Sequence, residues 1–454
     1  ALNASIFLLT NIPDREKAAA YFDESLSLFQ GLGSSGKHGM AYTLLLGAIA
    51  GITDQMVPTL EQSLALYYET GDKIGISECL IRLADKAEFH EDYEKATALV
   101  EAHLTIRKEV GDQDGIAAAL AKLGGFAFSW KGDYEQAVTL FEESLRCFRS
   151  IGKKSGVSWV LAIYGGVCLW YGDHARAAKN FEEGWRLAQD VGEKFLCAIN
   201  SYGLAITSWF RGDYAGAMHT IKDSMGIAND LRNWGGVAIS LHVLGDIAMA
   251  QGDEQTAAQS YEDEMILSEE QRIGPGIIFA LCGLGKVAWA EGDYELARTR
   301  FKESLVKLPE KAPDLAKFNA LFGLGRVAQS RGDTAEARAY YSEALEIYRQ
   351  RTYHPFRWTS IKTCKALVAY PVDALAILAT VQHQMDHAAS LFGAVDAIYP
   401  ALRYEMSAME RAEHDQAVTI VRATLGEKAF AAAWEKGQNL TVDDAIVYSL
   451  KELP

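Results

Sequence analysis

Apolar residues recur at i, i+3, i+4 and i+7 along most of the chain, as in Ala297, Phe301 and Leu305, which is the spacing of one buried face of an α-helix. The breaks between these helical stretches are regular. A Gly-Asp pair stands at Gly132-Asp133, Gly172-Asp173, Gly212-Asp213, Gly252-Asp253, Gly292-Asp293 and Gly332-Asp333, and every step is 40 residues. Four residues after each Asp comes an alanine (Ala137, Ala177, Ala217, Ala257, Ala297, Ala337), and four later a large apolar residue (Phe141, Phe181, Ile221, Tyr261, Phe301, Tyr341). Eight residues before each Asp is a small one: Gly125, Gly165, Ala205, Gly245, Gly285 and Gly325.

These positions predict one helical hairpin per period. The glycine ends the first helix in the left-handed conformation, and the aspartate caps the second. The small residue lets the two helices approach, and the large apolar residue fills the space between layers. A second glycine loop separates hairpins, as at Gly71-Asp72 and Gly111-Asp112. Earlier repeats keep register through Ala18, Met56 and Ala96, which gives nine hairpins before residue 350. A period of this length marks a helical repeat array.

The pattern resembles the tetratricopeptide repeat, with Leu-Gly in its first helix and Ala followed by Phe or Tyr in its second. The unit here is 40 rather than the usual ~34 residues, because the helices are longer. The expected fold is all-α, a right-handed superhelical solenoid of tetratricopeptide-like hairpins over residues 1–350. An irregular last repeat (351–400) and an α-helical C-terminal cap (401–454) follow. After Tyr348 the period fails, and Arg351–Ala369, with Pro355, reads as a longer connection or a broken helix. The second-helix pattern revives at Asp386–Ala394, and a charged helix follows at Met409–Leu425. Phe430 and Trp434 form an i,i+4 aromatic pair suited to plugging the end of the stack, and Thr441 with Asp444 reads as the cap of a final short helix.

The ending is similar to the C-terminal module of bacterial signal-transduction ATPases with numerous domains and of related LuxR-type, maltose-activator-like regulators. The matching residues are Ala389, Phe392, Gly393, Leu425, Gly426, Glu427, Phe430, Ala433, Trp434, Gly437, Ala445 and Ile446. The resemblance implies a parent with upstream nucleotide-binding and winged-helix domains, in which the repeats sense an inducer that relieves autoinhibition. The opening ALNASIFLLTN reads as a helix entered partway along, so the chain is expected to be an excised fragment.

Charge and composition narrow this picture. A formal net charge of −16 argues against a general nucleic-acid surface, which needs a basic footprint. Six dispersed cysteines without CxxC spacing read as apolar core in a reducing compartment, and no run of residues is apolar and long enough to span a membrane. A cytoplasmic location is expected. Gly31–His38 (GLGSSGKH) imitates a phosphate-binding loop, but a helix precedes it where a strand is required, and His38 stands where a magnesium-ligating Ser or Thr belongs. No HExxH, GxSxG or His/carboxylate motif occurs in a recurrent pocket context, so neither a cofactor, a metal nor catalysis within the chain is expected.

A ligand is expected on the first helices, at the slots three, six and seven before the small residue and one, four and five after it. Those slots hold Phe126 and Trp130; Trp159 and Trp170; Tyr202, Trp209 and Phe210; His242 and Asp246; Phe279, Lys286 and Trp289; Phe322 and Arg326. Aromatic side chains suit a mixed small molecule, sugar or peptide, and Asp246, Lys286 and Arg326, which alternate in sign, would orient its polar groups. The competing reading of the aromatics is that they fill wide spaces between helices. The expected function is inducer sensing in a concave groove, with a peptide, protein or small molecule as partner. The alternative is a stand-alone scaffold for complex assembly.

Overall fold

A computed structural model describes residues 15–52, 55–90, 92–309, 314–350, 365–398, 406 and 408–451. They fall into two compact units that divide at Gly156/Val157. The first unit contains α1 (Arg15–Gly31), a 3₁₀ turn (Gly33–Gly36), α2 (Lys37–Ile49), α3 (Met56–Thr70), α4 (Lys73–Phe89), α5 (Tyr93–Glu109), α6 (Gln113–Lys131) and α7 (Tyr134–Ser150). Helix α8 (Lys154–Tyr171) spans the division.

The second unit continues with α9 (His174–Val191), α10 (Lys194–Phe210), α11 (Tyr214–Asp230), α12 (Trp234–Gln251) and α13 (Glu254–Glu270). Then come α14 (Gly274–Ala290), α15 (Tyr294–Val306), α16 (Asp314–Ser330), α17 (Thr334–Gln350), α18 (Lys365–Val381) and α19 (Met385–Ile398). It ends with α20 (Ala408–Leu425), α21 (Glu427–Gln438) and α22 (Val442–Ser449). The described residues include no strand. The first helix expected for the opening hairpin falls on residues 1–14, and most of the stretch 351–369 on 351–364; both lie outside the described residues.

Each Gly-Asp turn has the expected geometry. Gly132, Gly172, Gly212, Gly252, Gly292 and Gly332 all have positive φ, and the following Asp accepts a hydrogen bond from the backbone N–H three residues on. The loops between hairpins use the same left-handed slot, with Gly152 and Gly192 giving way to Arg232 (φ 53°) and Arg272 (φ 57°).

The small residue does more than admit a neighbouring helix. A Cβ on Gly245 would lie 2.5 Å from the Tyr261 ring, and one on Gly283, in the next first helix, 2.4 Å from it. Phe181 is held in the same way between Gly165 and Gly203, and Phe301 between Gly285 and Gly323. Each of these three second-helix aromatics is therefore clasped by two glycines from successive hairpins. Where the aromatic shrinks to Ile221, the two glycines become Ala205 and Val243, and all three join one buried cluster. Size on one side compensates size on the other, as close packing requires.

The C-terminal elements close the second unit over a shared core that includes Leu375, Phe392, Val421, Phe430 and Ile446. Helices α19 and α21 cross at reciprocal glycines. A Cβ on Gly393 would meet the Trp434 carbonyl oxygen at 2.2 Å, and one on Gly437 the Ser390 carbonyl oxygen at 1.8 Å. Phe430 and Trp434 sit 5.2 Å apart, and Thr441 accepts from the Asp444 N–H as the cap of α22.

Candidate functional site

The slot immediately after the small residue holds Phe126, Gly166 and Ile206 in three earlier repeats and Asp246, Lys286 and Arg326 in the next three. The first helices α12, α14 and α16 pack side by side in the second unit and bring these three charges into one row. The Lys286 ammonium donates to Asp246 Oδ1 at 3.0 Å, and the Tyr261 hydroxyl donates to the same oxygen at 2.7 Å. His242, one turn before Asp246, stands 3.5 Å from its other oxygen and places Nδ1 2.9 Å from Glu264 of α13. The imidazole ring is flanked by Tyr261 and Phe279, with centroids 5.5 and 5.6 Å away.

The electrostatics follow from burial set against partners. Burial pulls the His242 imidazole down, but Glu264 and Asp246 outweigh it and leave the group above its ordinary range. Burial pushes the Asp246 carboxyl up, yet Lys286 and His242 hold it below the usual carboxylate value. The Glu264 carboxyl ends above the usual range because burial exceeds the pull of His242. Lys286 is raised, since Asp246 overcomes its desolvation.

Arg326 is buried, at 5% exposure. Its guanidinium lies 4.5 Å over the Trp289 ring and pairs with Glu413 of α20, with Glu410 one turn earlier at 4.0 Å. The Trp289 indole N–H donates to Ser330 at 2.8 Å. Arg326 and Glu264 are buried and His242, Asp246 and Lys286 partly so; burying a charge costs several kcal/mol before pairing offsets it, so the buried members make the row a poor stability device. An all-apolar slot such as Ile206 achieves the same packing.

The remaining predicted residues are dispersed. Phe126 and Trp130 belong to the first unit, where they stack at 3.6 Å; Tyr93 lies against Trp130, and Lys122 is 5.3 Å from the Phe126 ring. Both rings are buried, as are Trp209 and Trp289 in the second unit. Trp159 is half-buried beside Ala188 and Leu196, and Tyr202 and Phe210 flank the Ile221 cluster. Trp170 is half-buried. Phe322 sits 5.6 Å from Tyr341 and 5.5 Å from Tyr370. The charged half of the prediction is thus gathered into one place, while much of the aromatic half packs within layers. Glu264, Glu410 and Glu413 were absent from the sequence reading. Glu264 lies three residues after Tyr261 on a second helix, whereas a ligand was expected on the first helices, and the other two come from beyond the repeats.

Among the described residues no group of His, Cys, Asp and Glu side chains is arranged to hold a metal ion, and no helix is long and apolar enough to cross a membrane.

Residues 276–350 match the tetratricopeptide repeat family. No curated protein matches the chain by sequence. Among solved structures, a Rap protein complexed with Competence and Sporulation Factor aligns at 14% identity and a TM-score of 0.53, over 77% of this chain and 96% of that one. Aspartyl phosphate phosphatase F from Bacillus subtilis aligns at 10% identity and 0.53, over 78% and 94%. A signal-transduction ATPase with numerous domains from Pyrococcus horikoshii, with a tetratricopeptide repeat sensor, aligns at 17% identity and 0.48. That alignment takes in 67% of this chain, which spans about half of that protein's length (49%). Residues 276–350 are therefore tetratricopeptide repeats, and the chain has the fold of a tetratricopeptide-type helical solenoid.

Proposed function

We propose that this chain is the sensing portion of a larger regulator of the signal-transduction ATPase type, and that it recognises its inducer on the first-helix face of α12, α14 and α16. The observation that carries the reading is the row Asp246, Lys286 and Arg326, three charges at equivalent slots of consecutive repeats, linked to His242 and Glu264. Charges at these slots, with Arg326 buried and Asp246 and Lys286 partly exposed, point to recognition, where they fix orientation and reject wrong partners. The ligand class is a peptide or a mixed polar and apolar small molecule, with the half-buried Phe279 supplying apolar contact. The Rap protein of similar fold is complexed with Competence and Sporulation Factor, which supports ligand recognition by a solenoid of this kind. In the parent, binding relieves autoinhibition of upstream nucleotide-binding and winged-helix domains.

The test is native mass spectrometry of the chain purified from its host, followed by calorimetry with whatever copurifies. A defined ligand should be lost in Lys286→Met and retained in a distant surface variant such as Lys194→Met, with circular dichroism unchanged in both. Retention of the ligand by Lys286→Met would remove the site from that face.

A further inference from the structure

The face that carries this row is covered in the structure by the chain's own helix α20. Arg411 of α20 reaches the Tyr214 hydroxyl at 3.0 Å and the Ala250 carbonyl, in the last turn of α12, at 3.4 Å, while its own strand of chain is held through the Met406 carbonyl at 2.9 Å. Glu410 and Glu413 face Arg326, and Met409 packs against the cluster formed by Trp289, Leu324 and Val327. The second half of the helix is anchored elsewhere. Ala417 and Val421 lie in the C-terminal core, and His414 stands 2.6 Å from the buried Asp373 of α18. One helix thus has an apolar half fixed in the cap and a charged half laid on the repeats, more than 150 residues back along the chain at Ala250 (|i−j| 161).

The two halves are held by different physics. The anchored half is held by apolar burial. The half over the repeats is held mostly by charge-assisted hydrogen bonds, which are strong when formed and can be re-formed by any group with the same charges. Arg326 cannot be left alone, because removing one partner from a buried ion pair costs several kcal/mol. The front of α20 therefore leaves that face only when other carboxylates arrive to take its place. Simple opening is disfavoured, and exchange is not.

We infer that the face formed by α12, α14 and α16 is a docking surface for an acidic helical peptide segment, and that residues 408–413 are its resident occupant. A partner that fits presents two carboxylates on one helical face, three residues apart as Glu410 and Glu413 are, with an apolar residue beside them in the place of Met409. The inference rests on the reading of this face as the recognising one, and it gives that reading a mechanism, since a bound partner frees the front half of α20.

The test uses the full chain and, as probe, a fluorescently labelled synthetic peptide with the sequence of residues 406–425. Hydrogen exchange over 408–414 should quicken at least tenfold in Glu410→Gln/Glu413→Gln, and the probe should bind that variant at least tenfold more tightly than the unaltered chain. Arg411→Gln, which leaves the Arg326 pairing in place, should give the same direction of change and guards against a variant that misfolds; protection in α19 and α21 serves as the control. A probe with both glutamates changed to Gln should lose its binding. Unchanged exchange over 408–414 in both variants, or a probe that binds regardless of its glutamates, overturns the inference. A host ligand lost from Lys286→Met, together with unchanged exchange in the α20 variants, would refute this occupant while leaving the sensing reading intact.

Discussion

His387 offers the sharpest pH prediction. It sits in the first turn of α19, 4% exposed, with its ring 4.6 Å from Tyr448 and no hydrogen-bond partner for either ring nitrogen among the described residues. Burial, with Arg338, Lys436 and Lys451 nearby, lowers its imidazole from the ordinary 6.5 to about 4. A helix N-terminus opposes positive charge as well. The folded state therefore binds this proton less readily than the unfolded state. The stability that the neutral imidazole contributes is complete above pH 6.5 and drains away as the pH falls from 6.5 towards 4. A difference of this size corresponds to about 3 kcal/mol in full, of which about 1 kcal/mol is lost by about pH 5.8. The assay is hydrogen exchange of α19 and α22 in the unaltered chain and in His387→Leu, compared at equal pH so that intrinsic exchange rates cancel. The ratio of protection, unaltered chain over variant, should fall about sixfold between about pH 8 and pH 5.8. A ratio that stays flat across that interval would show that the imidazole is not held neutral by burial, and the argument would fail.

Other expectations follow from packing and backbone. Gly437→Ala sets a methyl group against the Ser390 carbonyl, which is backbone and cannot yield, so α21 should undock at a cost of about 3 kcal/mol, seen as lost protection in 427–438. Gly323→Val should destabilise by about 2 kcal/mol through collision with Phe301, and Phe301→Ile should recover part of it in a double-mutant cycle, as Ile221 with Val243 does naturally; additive losses would contradict the clasp. Arg272→Gly should stabilise by about 1 kcal/mol in thermal unfolding, because an arginine there holds a positive φ that glycine adopts freely. Asp112→Ala should cost about 2 kcal/mol, since Asp112 both caps α6 through the Gly115 N–H and pairs with the buried Arg107 at 2.7 Å.

The hairpins were legible because their punctuation is local. A glycine that ends one helix and an aspartate that starts the next lie side by side in sequence, and each acts on groups three to five residues away. The clasp was half legible. Gly245 and Gly285 were found as the small residue of their own hairpin, whereas Gly203, Gly283 and Gly323, two residues earlier in the frame of the next hairpin, keep the same frame with Val243 in the slot between the first two and went unread. Their aromatic belongs to the preceding hairpin, and one hairpin taken alone gives them no purpose. The charged row was legible for the same reason as the turns: Asp246, Lys286 and Arg326 share a slot where other repeats place Phe, Gly or Ile.

The aromatics were harder, since a Trp at an inward slot can turn along the layer and pack on a neighbouring helix, as Trp130 does on Tyr93 of α5. Nothing local foretells that choice. Helix α20 was legible as a helix but not as an occupant. Glu410, Arg411 and Glu413 fell in what read only as a charged helix, and their partners lie 87 residues back at Arg326 and 197 back at Tyr214.

The shared aromatics also set how disorder would travel. Because Phe181, Tyr261 and Phe301 each belong to two hairpins at once, melting one hairpin strips a ring of half its enclosure and weakens the next, the nearest-neighbour coupling of a one-dimensional array. The layer built on Ile221 is different in kind. The contact of Ile221 itself with Ala205 and Val243 is aliphatic and smaller than a clasped ring, although Trp209 is buried in the same cluster, so it transmits less of that penalty. It is the seam at which fraying would stall, and the place where the second unit can bend without unlocking the layers on either side.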